Sequence, residues 1–251
     1  MQTACRRHED YPLDNAGQMF ETGRARVVRA MMLCGRRHPA VDFRSKPDAQ
    51  QIEESVQRRR ILAIWHFTHI HNLPSIFKYG ILSRSEMNAR GIPYDRPLTT
   101  WGSPWKAEEF EDYICCGITR PWGMMCNEEG PLAVFCLNPR LLWREGTIYT
   151  AKHTGWGDVS LADISDEGTS EHFDALFASS TDGLPSPTHA DVLVYKMIPR
   201  DEFYRVYFAD DEAKSAALQI CDGVRLPDGQ RVWQAIPFAI RPSVFPTFRQ
   251  E

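Results

Sequence analysis

Short apolar runs separated by turn-forming residues dominate the chain from residue 61 onward. Runs of this length, bounded by Gly, Pro, Asn or Asp, are typical of buried strands. The pattern predicts strands at Ile61–Thr68, Leu132–Leu137, Val192–Ile198 and Arg205–Phe208, with a further strand near Trp233–Ile240.

A helix is predicted between Asn72 and Gly80, because Asn is a favoured cap, Pro tolerates the first turn and Gly ends helices. Its residues Leu73, Ile76 and Phe77 follow a helical spacing and are expected to point inward.

Two further helices are predicted, around Ala162–Ser179 and, capped by Asp210 or Asp211, around Glu212–Cys221. Residues 84–107 contain several prolines, glycines and tryptophans and are predicted to form a loop. Strands outnumber helices and lack a regular βαβ alternation, so we expect an α+β fold.

The first 60 residues are interpreted as an arginine-rich, partly helical extension, and residues 61–251 as the main domain. A helix from Asp48 to Arg60 carries only Ile52 and Val56 as apolar residues, which predicts a surface helix with little to bury. Its three final arginines, Arg58 to Arg60, could contact phosphate or form a solvated helix end.

Composition narrows the class of protein. Of 251 residues, 43% are hydrophobic and 25% are charged, as in a globular protein. Apolar runs fall far short of the roughly 20 residues that cross a bilayer, and no secretory h-region follows the N-terminus, so we expect a soluble, cytoplasmic protein without membrane contact. An odd cysteine count of 7 favours reduced thiols.

Charge is unevenly distributed. The net charge is −4; residues 1–60 hold 12 Lys and Arg against 8 Asp and Glu, or +4, which leaves −8 for the remainder. A protein that binds nucleic acid through its overall charge would be more basic. A nucleic-acid substrate would therefore have to be held by a local basic patch.

The sequence lacks the motifs of several common enzyme classes. The sequence contains no phosphate-binding loop, no complete dinucleotide-binding glycine motif, no nucleophile elbow and no His-Glu-x-x-His. Cys5-x-x-His8 and Cys34-x-x-x-His38 have the ligand types of a zinc site, but their spacing is unusual and favours unremarkable thiols and surface histidines.

The densest cluster of polar chemistry lies in Trp65–Asn72, at a predicted strand-to-helix junction. The histidines at 66, 69 and 71 could bind a metal, although no carboxylate ligands lie nearby. They could also be ordinary packed or solvated side chains. A third interpretation is that His66 and Thr68, which share one face of a strand, hold a ribose through an imidazole N–H and a hydroxyl.

This segment, His66-Phe-Thr-His-Ile-His-Asn-Leu-Pro-Ser-Ile-Phe-Lys-Tyr-Gly80, resembles the opening motif of the DarT family, bacterial toxins that ADP-ribosylate DNA with NAD. Three further segments resemble the family in the same order, so that the likeness covers roughly residues 61–210. They are Glu111–Met125, Tyr149–His153 and His189–Lys196.

The resemblance implies an ADP-ribosyltransferase fold, with two facing antiparallel sheets, a central NAD cleft and surrounding helices. It implies that His66 and Thr68 bind the nicotinamide ribose and that His69 and Asn72 shape the pocket. A methionine, Met125 or its rival Met124, would line the cleft.

The catalytic residues implied by the resemblance include His153, which matches a functional histidine, and Asp191, which stands where the family has its catalytic glutamate. The family's Arg-Arg pair is missing. Arg96 is the nearest substitute for binding the pyrophosphate, with Arg90 and Arg84 as alternatives.

The implied activity is NAD-dependent mono-ADP-ribosylation of a base, thymine or guanine, in single-stranded DNA. NAD is the expected co-substrate, no metal is expected, and a macrodomain antitoxin of the DarG type is the expected partner of a monomeric toxin. The shorter aspartate leaves open a weakly active NAD- or nucleic-acid-binding module. Four tryptophans in predicted loops could stack on bases: Trp101, Trp105, Trp122 and Trp156.

Overall fold

Strands and helices alternate irregularly along the chain, and this confirms the predicted α+β class. The computed structural model describes residues 44–93, 108–118, 125, 129–151, 159–178, 185 and 190–245. These residues belong to one compact unit, Phe43–Glu251. None of their helices is both long and apolar enough to cross a membrane.

Nine strands are present in the described part of the chain. In chain order they are β1 (Ile64–His69), β2 (Ile81–Leu82), β3 (Tyr113–Gly117), β4 (Leu132–Leu137), β5 (Ile148–Thr150), β6 (Asp191–Tyr195), β7 (Met197–Ile198), β8 (Phe203–Phe208) and β9 (Phe238–Ile240).

The α-helices of the same residues are mostly short. They are α1 (Ala49–Arg58), α2 (Leu73–Tyr79), α3 (Arg84–Ala89), α4 (Leu161–Ile164), α5 (Ser170–Ala175), α6 (Asp211–Ile220) and α7 (Val232–Ala235). Single 3-10 turns occupy Ile70–Asn72, Pro139–Trp143, Arg200–Glu202 and Pro242–Val244.

Seven strands form one sheet in the order β5-β6-β3-β1-β4-β8-β9. Its described pairs are antiparallel except for β8 with β9, which run parallel. Strand β4 lies near the middle, and all six of its residues are buried, as its uninterrupted apolar sequence predicts.

The sheet opens into a fork between β1 and β3. Among the described residues these strands share one pair, Trp65 with Gly117. Beyond it, His66–His69 pair with β4 and Tyr113–Cys116 pair with β6. The fork divides the sheet into a half formed by β1, β4, β8 and β9, which we call the His66 half, and a half formed by β3, β5 and β6, the Asp191 half.

A second, two-stranded sheet joins the two halves. Strand β2 follows β1 and α2, whereas β7 follows β6, and the two pair antiparallel. Gly80 precedes β2 with φ 87° and ψ 177°, a conformation open essentially to glycine alone. A Cβ at Gly80 would lie 2.6 Å from the carbonyl oxygen of Ile198 in β7. We call this small sheet the clasp.

Helix α1 corrects the expectation of a surface helix. Ile52 is fully buried and Val56 is 4% exposed, and both belong to the main hydrophobic core. The hydroxyl of Ser55 donates to Asp174 in α5, and the Arg59 guanidinium lies 3.0 Å from the same carboxylate. Two apolar residues spaced four apart are therefore enough to pack this helix against the main hydrophobic core. The division at residue 60 itself stays a prediction.

Three other segments differ from their predictions. The predicted loop at 84–107 begins with α3, whose cap Ser83 accepts from the Glu86 amide. The predicted helix at Ala162–Ser179 is interrupted by a turn between α4 and α5. Trp233 lies in α7 rather than in a strand, and only Phe238–Ile240 extends into β9.

Candidate active site

His66 lies in the fork of the sheet. Its Nδ1 is 2.9 Å from the carbonyl oxygen of Cys115 on β3, where the two strands have already separated. Since a carbonyl only accepts, Nδ1 carries the proton, and Nε2 of the neutral ring is an acceptor. Burial lowers the pKa of His66 below its ordinary 6.5, which keeps the ring neutral at pH 7.

This tautomer changes the expected direction of a ribose contact. The predicted N–H is already used on Cys115, so Nε2 would accept a hydrogen bond from a hydroxyl rather than donate one.

Thr68 and Asn72 are linked side chain to side chain. The Asn72 amide donates to the Thr68 hydroxyl oxygen over 3.0 Å, and Thr68 is 4% exposed. Asn72 stands before α2, but its side chain makes no cap hydrogen bond. The amide instead ties the helix start to β1 and leaves the Thr68 hydroxyl proton able to point elsewhere.

The histidines of β1 and of the turn after it differ in their exposure. His69 is 4% exposed, whereas His71 is exposed in the turn that follows. Within the described ranges, no three His, Cys, Asp or Glu side chains gather as metal ligands. The predicted zinc candidates at residues 5, 8, 34 and 38 lie outside those ranges.

Asp191 is the first residue of β6 and lies opposite Gly117 on β3 and Thr150 on β5. Because Gly117 also pairs with Trp65, Asp191 stands two strands from β1, at the point where the fork begins. It is 3% exposed. The pKa of the neighbouring Cys116 thiol is raised, first by burial and then by the charge of Asp191.

Met125 is 1% exposed and belongs to a second hydrophobic cluster together with Phe67. Phe67 alternates with His66 and Thr68 along β1, so Met125 packs on the other face of that strand. Its cleft-lining role stays a prediction.

The other candidates divide into two groups. Arg90 is paired with Glu86 through Nε at 3.0 Å and Nη2 at 2.6 Å, while Arg84 begins α3. The remaining residues lie outside the described part of the chain, and their roles stay predictions. They are Arg96, Met124, His153, Trp101, Trp105, Trp122 and Trp156.

Sequence reasoning missed the contribution of β3. The Cys115 carbonyl sets the tautomer of His66, and Gly117 lies between Trp65 and Asp191. The position of a backbone carbonyl cannot be inferred from the pattern of side chains along the sequence. The pairing of β3 also depends on residues that are distant in the chain.

Comparison with solved structures identifies the fold. Thermus sp. 2.9 DarT in complex with ADP-ribosylated ssDNA is similar over 81% of this chain and 100% of its own, at 16% identity and a TM-score of 0.51. Thermosipho africanus DarTG in complex with ADP-ribose is similar over 73% of this chain, at 17% identity and a TM-score of 0.50. This chain spans half of that DarTG chain. At such identities the likeness shows a shared fold, that of DarT proteins.

A family model adds evidence at the level of sequence. Residues 65–97 match the model described as "ssDNA thymidine ADP-ribosyltransferase, DarT". The matched segment begins at the second residue of β1 and includes α2 and α3, and it contains His66, Thr68, His69 and Asn72. The resemblance to the DarT family inferred from the sequence is thereby confirmed. None of the curated proteins compared with the chain matches it.

Proposed function

We propose that this chain is an NAD-dependent ADP-ribosyltransferase that modifies a base in single-stranded DNA. The observation that carries the proposal is the position of Asp191 and His66 on either side of β3, where the sheet forks. His66 also lies inside the segment that matches the DarT model. A carboxylate and a neutral hydrogen-bonding imidazole thus stand two strands apart at the fork, although they are 125 residues apart in the chain.

The fork supports a cleft between two sheet halves. A single described pair holds β1 to β3, so the His66 half and the Asp191 half are free to lie at an angle. This arrangement fits the implied pair of facing sheets with NAD between them. The expected antiparallel pairing holds on both sides of the fork, apart from β9.

The residues of β1 fit the polar parts of NAD. His66 Nε2 accepts a hydrogen bond from a ribose hydroxyl, and the Thr68 hydroxyl donates one while Asn72 holds its oxygen. Each net hydrogen bond contributes about 0.5–1.5 kcal/mol. When bound, NAD supplies the ADP-ribosyl group and a leaving group that departs as neutral nicotinamide.

Asp191 supplies the negative charge. Its carboxylate stabilises the positive charge that develops on the ribose as the bond to nicotinamide lengthens, and a preorganised charge of this kind contributes about 10²–10³ in rate. The same carboxylate accepts the proton that the attacking base nitrogen loses when the new glycosidic bond forms. Single-stranded DNA is the suitable substrate because its bases are exposed without unstacking.

Thymidine is the substrate we propose, because the matched model is described by that nucleoside. The test is mass spectrometry of oligonucleotides incubated with the protein and NAD. Single strands containing thymine should gain the mass of one ADP-ribosyl group, whereas strands without thymine and the matching duplex should not. An adduct on guanine alone would overturn the base assignment, and no adduct on any strand would overturn the transferase.

A second candidate function is a module that binds NAD with little turnover. It is favoured by the buried aspartate, whose carboxylate is one methylene shorter than that of glutamate. A displacement of about 1 Å at the reacting centre can cost 10²-fold in rate. Calorimetric NAD binding without adduct formation would identify this function.

The biological setting is part of the same proposal. We place the protein in the cytoplasm as a monomeric toxin with a DarG-type macrodomain antitoxin that removes the DNA mark. Support comes from its likeness to a DarTG chain and from the free thiols of Cys115, Cys116, Cys136 and Cys221. Co-purification of the chain with such an antitoxin tests the partner, and light scattering tests the monomer.

A further inference from the structure

A basic and aromatic surface lies on the sheet beside the candidate site. The guanidinium carbons of Arg205 and Arg241 lie 5.9 and 5.5 Å from the centre of the Tyr207 ring. The Trp65 ring is 6.1 Å from the same tyrosine. Both arginines and Trp65 are partly exposed. We call Trp65, Arg205, Tyr207 and Arg241 the Arg–Trp surface.

The register of the sheet connects this surface to Asp191. Asp191, Gly117, Trp65, Cys136 and Arg205 are directly paired from strand to strand across β6, β3, β1, β4 and β8. Directly paired residues in an antiparallel sheet project to the same face. The carboxylate, the indole and the guanidinium therefore lie on one face.

The spacing along this row follows from the distance between neighbouring strands. At about 4.8 Å per strand, Trp65 is about 10 Å from Asp191 and Arg205 is about 19 Å from it. Gly117 lies between Asp191 and Trp65 in this row. Because glycine has no side chain, nothing projects from the sheet at that position.

The charges of the two arginines are not neutralised by this part of the protein. In the described ranges, neither Arg205 nor Arg241 has a carboxylate within ion-pair distance, whereas Arg59, Arg90 and Arg140 each have one. Two cations sharing one tyrosine ring repel each other, so an anion bound between them would be stabilised. Both also oppose the rise that burial causes in the pKa of Cys136.

We propose that Arg205 and Arg241 bind phosphates of the single-stranded DNA substrate, a few nucleotides from the base held at Asp191, and that Trp65 stacks on an intervening base. This inference rests on the proposed function. Guanidinium groups recognise phosphate well, and aromatic rings accept bases of any sequence. The surface is the local basic patch that a chain of net charge −4 requires.

The pyrophosphate of NAD is the competing anion. Arg205 stands four strands from Asp191, farther than the pyrophosphate reaches from its own nicotinamide ribose, and this favours the DNA backbone. The two anions can therefore be distinguished by experiment: loss of the arginines should lower the affinity for DNA if they bind the DNA backbone, and the affinity for NAD if they bind the pyrophosphate.

The experiment measures binding of a fluorescein-labelled oligothymidylate to the full chain by anisotropy, at a series of salt concentrations. The Arg205→Gln, Arg241→Gln double variant should bind at least about tenfold more weakly at low salt. Its slope of log affinity against log salt should be shallower by about 1.4, because each lost phosphate contact removes about 0.7. Calorimetric affinity for NAD should not change.

Arg231→Gln is the matched control, because Arg231 also lies over an aromatic ring, Trp233 at 5.3 Å, but is paired with Asp222 at 3.3 Å. It should leave the DNA affinity and the salt slope unchanged. Arg205→Lys, Arg241→Lys keeps both charges and should keep most of the slope, which covers the case of a poorly folded glutamine variant.

Three outcomes would overturn the inference: no binding of the oligothymidylate by the unaltered chain, an unchanged salt slope in the glutamine variant, or a loss of NAD affinity in that variant with an unchanged DNA slope. The proposed function fails separately, if the unaltered chain binds DNA through these arginines but transfers nothing to it.

Discussion

The two halves of the seven-stranded sheet are built differently. In the His66 half, β1 and β4 pair over six consecutive residues, from Ile64 with Leu137 to His69 with Leu132. In the Asp191 half, β3 and β6 pair over five residues and β5 and β6 over three, and one described pair connects this half to β1. The side chains expected to hold NAD thus stand on the half with the longer ladder, and the expected catalytic charge stands on the half with fewer strands and fewer pairs.

This difference shows how such a site can be both preorganised and open. The six-pair ladder positions His66 and Thr68, while the fork and the clasp are the described connections between the two halves.

The largest effect is expected for Asp191→Ala. Transfer to DNA should fall by at least about 10²-fold, because the developing positive charge loses its carboxylate. NAD affinity should change little, since the β1 residues are untouched. Rates of adduct formation and calorimetry measure the two quantities.

Asp191→Glu serves as the companion variant, because it keeps the charge and moves it outward by one methylene. It should retain part of the activity that alanine loses. An alanine variant as fast as the unaltered chain would show that the carboxylate has another role.

Gly80→Ala should weaken the clasp. A Cβ there meets the Ile198 carbonyl at 2.6 Å, and the backbone conformation is strained for any other residue. We expect a loss of about 3 kcal/mol in the free energy of unfolding, from strain and overpacking together. Urea denaturation measures it.

Gly91→Ala is the control for that variant, because Gly91 also has a positive φ, 61°, but its Cβ would meet no atom within 4 Å. It should cost only about 1–2 kcal/mol. Equal losses in the two variants would mean that the contact with β7 does not matter.

His66→Ala should weaken NAD binding by roughly 5–30-fold, or about 1–2 kcal/mol, since it removes the acceptor of a ribose hydroxyl and the ring contact with the Cys115 carbonyl. Exposed His71 is the control position and should tolerate alanine. Unchanged calorimetric affinity in the His66 variant would remove the ribose role.

The same histidine predicts a pH dependence. Its pKa lies below 6.5 in the folded protein, so the ring stays neutral through pH 7 and becomes charged only at more acidic pH. NAD affinity should be level above pH 6.5 and fall well below it, when Nε2 becomes a donor. The alanine variant should lack this fall.

Lys46 lies against the Asp191 half and predicts a second pH dependence, of stability rather than of binding. Its amine donates to the Tyr149 hydroxyl at 2.9 Å and to the Gly168 carbonyl, and burial lowers its pKa from 10.5 to about 7. Between these values the unfolded chain holds a proton that the folded chain lacks. Stability should therefore rise with pH from about 7 to 10.5, by at most about 1.4 kcal/mol per unit from this group.

Urea midpoints at several pH values test this, and Lys46→Met should remove that part of the slope. Lys78→Met is the control, because Lys78 is exposed although it also lies over a tyrosine ring, at 4.8 Å. Parallel pH profiles for the unaltered chain and the Lys46 variant would contradict the lowered pKa.

Local patterns predicted the elements whose signals are local. The bounds of β4 are those expected from its apolar run, and α6 begins within one residue of its prediction because Asp210 caps it by accepting from the Ala213 amide. Helix α3 was missed within a predicted loop although Ser83 and Glu86 have the spacing of a capping box, a signal that outweighed the nearby prolines and glycines.

The site was predictable only in part, for a physical reason. His66, Thr68 and Asn72 are close in sequence, so their grouping could be inferred from a strand and a turn. The fork depends on where β3 stops pairing with β1, which is a long-range property. The alternation of Arg205 and Tyr207 on β8 is visible in the sequence, but its alignment with Asp191 requires the register of five strands.

Three buried thiols determine how part of the protein would respond to an oxidising environment. Cys116 borders Asp191 with a raised pKa, and burial raises the pKa of Cys136 to about 11 and that of Cys221 to about 12. Peroxides and alkylating reagents attack thiolates, not protonated thiols. The thiols of these three buried cysteines therefore stay protonated and unreactive at neutral pH, and Cys116 beside Asp191 is protected from oxidation.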